Sequence, residues 1–177
     1  FFLSLIVLAV LWPALLLYHV VDQVGGINAL AQGLHSALPD RGLLTVILAW
    51  AFSGMLEGLA GFGLPIAVVA PMLVVLGVPA VTAVAAVAVG HSWSVTFGDM
   101  GMIFATLASL ADLEPRALAP MAALMLGVAC LACGLGSAAL LRQGRHWAVL
   151  LPTACVMALV QYGLAVSPLR PLAAFGA

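Results

Sequence analysis

Long apolar runs, separated by short polar or glycine-rich interruptions, dominate the chain. A helix needs about 20 apolar residues to cross the hydrocarbon core of a bilayer, so these runs predict membrane-spanning helices. We expect spans near residues 1–21, 43–63, 120–141 and 147–166. Between the first two, apolar positions recur at helical spacing from Ile27 to Leu38 and predict a short amphipathic helix at the membrane surface. The predicted fold class is all-α, a polytopic helical membrane protein.

Two regions depart from this simple pattern. Residues 64–77 are apolar and bracketed by glycine and proline, but such a helix is only about 21 Å long, too short for a core of about 30 Å. This stretch predicts a half-helix. Residues 78–110 are apolar at both ends and polar in the middle, which predicts an interrupted span. We therefore expect interrupted or re-entrant helices around residues 58–65 and 90–101.

Composition excludes several classes of protein. Hydrophobic residues make up 66% of the chain and charged residues only 6%, which excludes a soluble globule. Five basic residues against six acidic ones leave no basic surface for nucleic acid. Cys130 and Cys133 have CxxC spacing inside an apolar run, where small packing residues are the simpler interpretation than a redox pair. We predict no cofactor and no metal, and membrane lipid as a partner.

Glu57 is the first candidate for chemistry. A carboxylate inside a bilayer costs about 2.5–3.5 kcal/mol, so it faces a cavity or the bundle interior and is a functional candidate by default. Ser53, Gly54, Gly58 and Gly61 share its helix face and would let a ligand or a backbone approach closely. The alternative is a helix contact through Gly54 and Gly58, with Glu57 hydrogen-bonded at a water-accessible end.

A second polar group lies in the interrupted span. Ser92, Thr96 and Asp99 have the spacing of one α-helical face, with His91 beside them. Carboxylates and a histidine are groups that exchange protons near neutral pH when they are partly buried. The alternative is that Asp99 lies at a water interface and that His91 is a packing residue.

The glycine-rich break before residue 64 predicts a binding element. Unpaired N–H groups at the start of the following helix carry the positive end of its dipole and favour an anion. Gly61, Phe62, Gly63 and Pro65 form this break. A nucleotide-binding loop is disfavoured, because no soluble strand precedes it and no Lys-Ser or Lys-Thr pair follows.

These motifs carry a resemblance to a known family. The string "EG-x-AGFG-x-P" that begins at Glu57, followed by Phe97, Gly98 and Gly101, resembles the L-lactate permease family. The similarity covers nearly all of the chain, with a departure from the common family pattern at residues 90–94. It implies that residues 1–177 are part of a transmembrane transport domain, a fragment of a longer chain.

The resemblance implies a multi-pass transporter of the bacterial inner, or plasma, membrane and not an enzyme. Its substrates would be lactate, glycolate and related 2-hydroxy monocarboxylates, moved together with protons. Glu57 would carry the proton, with Asp99 or His91 as the second candidate. Substrate contacts would come from Gly61, Phe62, Gly63, Pro65, Ser92, Ser94, Thr96 and Gly98.

Three further points complete the predictions. An intramembrane hydrolase that uses Ser94, His91 and Asp99 is one alternative, and a noncatalytic membrane subunit packed through its glycines is another. The arginine-rich turn with Arg142 and Arg145 is predicted to be cytoplasmic. The sequence does not predict the oligomeric state.

Overall fold

A computed structural model describes residues 40–61 and 63–177, together with scattered positions among residues 1–38. The predicted span 1–21 and the predicted surface helix that follows it lie largely outside the described residues. The described part consists of helices and connecting turns without a strand, which confirms the all-α fold class.

Six α-helices form the described bundle. They are α1 (Arg41–Leu59), α2 (Leu64–Val75), α3 (Ala80–Gly90), α4 (Gly98–Leu110), α5 (Pro115–Leu140) and α6 (Trp147–Val166). Short 3₁₀ helices occupy Ser92–Phe97, Gly144–His146 and Arg170–Leu172. Within the described residues, α1, α5 and α6 with its preceding turn are long and apolar enough to cross a membrane.

The two predicted interruptions are present. The 12-residue α2 is separated from α1 by a break, and α3 is bent by 45° from the helical stretch Ser92–Leu110. At 1.5 Å per residue, α2 is only about 18 Å long, shorter than a bilayer core. One boundary differs from the prediction: Pro120 lies inside α5, because the helix already begins at Pro115, where a proline fits the first turn.

The chain order determines which helix ends meet. Gly42 of α1 and Gly77 after α2 line one cavity, so α2 runs back towards the end of the bundle where α1 begins. The first turns of α4, the end of α6 and the start of α5 line a second cavity, which lies at the opposite end of α5. Both helix breaks therefore lie between these two ends.

Helix α1 is the central element of the packing. Its Leu48 and Ala49 belong to one buried cluster with α2 and α3, whereas Val46 and Trp50 belong to another with α5 and α6. Gly90 of α3 lies directly against the Ala49 carbonyl, with no room for a side chain. Such close backbone approach through small residues is how helices associate in membranes.

Helix α1 is not uniform along its length. Asp40 caps its start, since its Oδ1 accepts hydrogen bonds from the N–H groups of Gly42 at 2.9 Å and Leu43 at 3.1 Å. A π-helical turn occupies Leu48–Phe52. The Ser53 hydroxyl donates to the Ala49 carbonyl at 2.5 Å and so satisfies an oxygen within this irregular turn.

Candidate functional site

Glu57 and Asp99 converge on the break between α1 and α2. Both are buried, with 4% and 8% of their surfaces exposed. A methyl group built on Gly61 would lie 2.6 Å from Glu57 Oε1 and 3.1 Å from each Asp99 oxygen. The two carboxylates therefore share one small space, close enough for their charges to repel.

Asp99 is held at the break by its own irregular backbone. Its Oδ1 accepts a hydrogen bond of 2.5 Å from the Gly61 N–H. Asp99, Met100 and Gly101 have left-handed φ angles of 50°, 54° and 78°. This conformation costs roughly 1–2 kcal/mol for each residue that carries a side chain, and such strain concentrates at functional sites.

Gly98 brings the two breaks into contact. A Cβ on this residue would lie 3.0 Å from the Glu57 carbonyl oxygen and 3.2 Å from Glu57 Oε1. Any side chain here would push the 3₁₀ segment away from α1. The glycine is therefore required for the close approach of the two carboxylates.

The start of α2 has the predicted form of a helix N-terminus. Gly63 has a left-handed φ of 86° and precedes the first turn, which contains the buried Pro65. Nothing lies within 4 Å of a Cβ built on Gly63, so there is open space beside the helix start. Phe62, which was predicted to contact the substrate, lies outside the described residues.

The prediction that Ser92, Thr96 and Asp99 lie on one α-helical face is wrong. Ser92–Phe97 is a 3₁₀ helix, and the backbone then leaves helical geometry at Gly98 and Asp99. With three residues per turn instead of 3.6, positions four and seven apart no longer align. The Ser92 hydroxyl is exposed and donates to the Ala88 carbonyl at 2.6 Å, while Thr96 is half-buried.

His91 and Ser94 lie in the same interruption. The His91 ring bonds through Nδ1 to the Val87 carbonyl at 2.6 Å, and the buried Ser94 hydroxyl donates to the His91 carbonyl at 2.7 Å. In the described part of the chain, His91 forms no hydrogen bond or ion pair with Glu57 or Asp99. The Ser-His-Asp relay that a hydrolase needs is therefore not assembled.

The glycines beside Glu57 serve close packing, as the alternative interpretation expected. A Cβ on Gly54 would overlap the Trp93 ring, and one on Gly58 would overlap the backbone at Ala174 and Phe175. Close packing and a buried carboxylate pair thus coexist on one helix. The contact with residues 174–175 was not predicted, because nothing in an apolar tail indicates that it folds back onto α1.

Gln161 is a second polar group that the sequence reasoning did not single out. Its side chain is fully buried in α6, and neither amide atom has a hydrogen-bond partner among the described residues. The available signal was an amide side chain inside the apolar run 147–166. No three His, Cys, Asp or Glu side chains in the described part are grouped so as to hold a metal ion.

Comparisons with known proteins identify the family of the chain. The family model described as L-lactate permease matches residues 2–169. The chain belongs to the L-lactate permease family. No solved structure matches the chain. Membership of this family and the apolar helices support a multi-pass protein of the bacterial plasma membrane.

Curated members of the permease family are similar over part of their length. An L-lactate permease of Streptococcus iniae is 30% identical over 142 residues, which are 76% of this chain and 30% of the relative. The glycolate permease GlcA of Escherichia coli is 27% identical over 119 residues, 63% of this chain and 21% of the relative. The L-lactate permease of Bacillus subtilis is 33% identical over 86 residues, 49% of this chain and 15% of the relative. The chain thus spans less than a third of the length of these relatives.

Proposed function

We propose that this chain forms part of a secondary transporter that moves 2-hydroxy monocarboxylates, such as lactate and glycolate, across the plasma membrane together with protons. The observation that carries the proposal is the convergence of Glu57 and Asp99 on Gly61, where two helix breaks meet. Interrupted helices of this kind build the substrate and ion sites of secondary transporters. The names of the relatives support the substrate class.

The carboxylate pair is the proposed proton carrier. Two like charges confined around Gly61 repel, and a single proton on Glu57 or Asp99 removes the repulsion. In the proposed role, the pair takes up one proton and releases it when the surroundings of the two carboxyl groups change during transport. His91 remains a further candidate for the proton pathway, since its ring lies at the same interruption.

The hydrogen bond between Asp99 and Gly61 suggests how proton and substrate are coupled. In the described state the Gly61 N–H is occupied by the Asp99 carboxylate. Protonation of the pair weakens this bond, because a neutral carboxylic acid accepts less strongly than a carboxylate. The carboxylate of the substrate then takes the same N–H group. Substrate anion and proton thus bind together, and the total charge of the site stays the same, because the added proton cancels the charge of the added anion.

The remaining predicted residues have proposed roles in binding the substrate. The open space beside Gly63 lies at the start of α2, where the positive end of the helix dipole favours the substrate carboxylate. Ser92, Ser94 and Thr96 are the candidate partners for the 2-hydroxyl group. Pro65, Phe62 and Gly98 would shape the cavity without forming hydrogen bonds through a side chain.

The test is uptake by the full-length gene product that contains this chain, reconstituted into proteoliposomes. Labelled L-lactate and glycolate are offered with and without an inwardly directed proton gradient. We compare the wild type with Glu57→Gln, Asp99→Asn and the matched control Glu114→Gln, which removes an exposed loop carboxylate. We expect accumulation driven by the gradient in the wild type and the control, and none in Glu57→Gln.

Two further outcomes decide the details. Exchange of labelled for unlabelled lactate moves no net proton, so Glu57→Gln should retain it. Gradient-driven accumulation that survives in both carboxylate variants would refute the proton-carrier role of the pair. A well-inserted wild type that takes up neither lactate nor glycolate would refute the substrate class.

A further inference from the structure

A cavity of about 480 Å³ lies between the first turns of α4, the end of α6 and the start of α5. Its lining includes two arginines, Arg116 and Arg170, and the hydroxyl-bearing Ser167. Its volume falls in the range of small-molecule sites, roughly 300–1,000 Å³. Neither arginine belongs to the carboxylate site, and the sequence analysis gave neither of them a role.

Arg170 is oriented by its neighbours. Its Nε donates to the Ala165 carbonyl at the end of α6 at 2.8 Å, and its guanidinium carbon lies 5.6 Å from the centre of the Phe104 ring. These contacts fix the plane of the guanidinium and occupy one of its donors. The two terminal nitrogens form no hydrogen bond to any other described residue. A fixed guanidinium with unused terminal donors is suited to a carboxylate.

The charge in this cavity is not neutralised locally. Among the described residues, the ion pairs involve Asp40 at the other end of the bundle, and neither Arg116 nor Arg170 takes part. The nearest acids in sequence, Asp112 and Glu114, line a separate adjoining cavity. The start of α5 adds the positive end of a helix dipole to the same side. Two arginines without an ion-pair partner among the described residues make this cavity suited to an anion.

The cavity adjoins the carboxylate site. Gly101 forms part of its lining and belongs to the same left-handed turn as Asp99. A Cβ on Gly101 would lie 3.1 Å from the Cα atom of Pro171, next to Arg170. The turn Asp99–Gly101 thus lies between the arginine-lined cavity and the carboxylate site.

We propose that the cavity between Arg116 and Arg170 is a recruitment site for small carboxylate anions, from which the substrate passes to the Gly61 position. This inference rests on the proposed function. Arg41, Arg142 and Arg145 cluster at the opposite end of the bundle, and the positive-inside rule assigns that end to the cytoplasm. The recruitment site accordingly faces outwards and acts on uptake.

The first test measures uptake kinetics of the full-length gene product in right-side-out vesicles. Arg116→Gln removes an exposed charge in the first turn of α5, and Arg170→Lys keeps the charge but loses the planar fork. The control is Arg145→Gln at the other end. We expect the external KM for lactate to rise on the order of tenfold in Arg116→Gln, as for the loss of one charge-assisted contact, with the maximal rate unchanged.

The second test reads binding without transport. Phenylglyoxal modifies accessible arginines, and mass spectrometry reports the modified positions. Lactate and acetate should protect Arg116 and Arg170 from modification, while neutral lactamide should not, and Arg145 should react equally in all samples. Protection in a protein that transports neither lactate nor glycolate would uphold the anion site and refute the proposed function. Absence of protection, or protection with an unchanged KM in Arg116→Gln, would overturn the recruitment role.

Discussion

The substitution Gly61→Ala tests the geometry of the carboxylate pair most directly. The new methyl group would lie 2.6 Å from Glu57 Oε1 and 3.1 Å from both Asp99 oxygens, inside normal contact distance. Its neighbours are the ends of side chains, which can rotate away, so the protein should still fold. The hydrogen bond of 2.5 Å from the Gly61 N–H to Asp99 would be lost or stretched. A hydrogen bond to a charged group contributes about 1.5–3 kcal/mol, which corresponds to a roughly 10- to 100-fold loss of proton-driven uptake.

The assay compares initial rates of lactate uptake in proteoliposomes at equal amounts of inserted protein. Gly163→Ala is the matched control, because a Cβ on this glycine of α6 would meet nothing within 4 Å. We expect normal uptake and unchanged thermal stability in the control, and in Gly61→Ala a folded protein whose melting temperature is several degrees lower, because a buried hydrogen bond is lost. Uptake by Gly61→Ala at the wild-type rate would refute the reasoning, since it would mean that the carboxylates need no fixed position around Gly61.

Three more predictions concern the scaffold. Gly90→Ala places a methyl group on the Ala49 carbonyl, a backbone atom that cannot rotate away, so it should lower the free energy of unfolding by at least about 1–3 kcal/mol in chemical denaturation. Ser137→Ala removes the interhelical hydrogen bond of 3.0 Å to α3 and should cost only about 0.6 kcal/mol, the typical value in membranes; a cost like that of Gly90→Ala would contradict this. The hydrogen bond from the Leu43 N–H is the largest of the contributions that hold the pKa of Asp40 below its ordinary 3.8 in the folded protein. The stabilisation from this cap is therefore complete above pH 3.8, and it disappears as the pH falls through the lower pKa of the folded state. The melting temperature of the wild type should therefore fall from about pH 6 to about pH 2, and this fall should be smaller in Asp40→Asn, which has no carboxyl group to titrate at this position.

The positions of the helix breaks were predictable because their causes are local. Glycine and proline at residues 61–65 permit a left-handed residue followed by a helix start, and the structure has both at Gly63 and Leu64. The functional interest of Glu57 was equally local, since a carboxylate in an apolar run is costly wherever the chain folds. These inferences needed no knowledge of which helices pack together.

The rest depended on long-range packing or on irregular backbone. The proximity of Gly61 to Glu57 follows from their spacing of four residues, but the approach of Asp99 to both joins residues that are far apart in the chain, and no periodicity predicts it. The prediction that Ser92 and Thr96 share a helix face was wrong because it assumed 3.6 residues per turn, whereas this segment is a 3₁₀ helix with three. The return of residues 174–175 to Gly58 likewise depends on tertiary packing.

The π-helical turn of α1 lies between the cap at Asp40 and the acid at Glu57. A π turn accommodates one residue more than an α turn, and each residue of a helix advances its face by about 100°. The rotational phase of Glu57 about the axis of α1 is therefore determined by this extra residue as well as by its place in the sequence. Deleting a single residue within Leu48–Phe52 would restore a regular helix and turn the carboxylate away from Asp99, although Glu57 itself would be unchanged. A relative with an acid aligned to Glu57 but without the π turn would present that acid to a different neighbour.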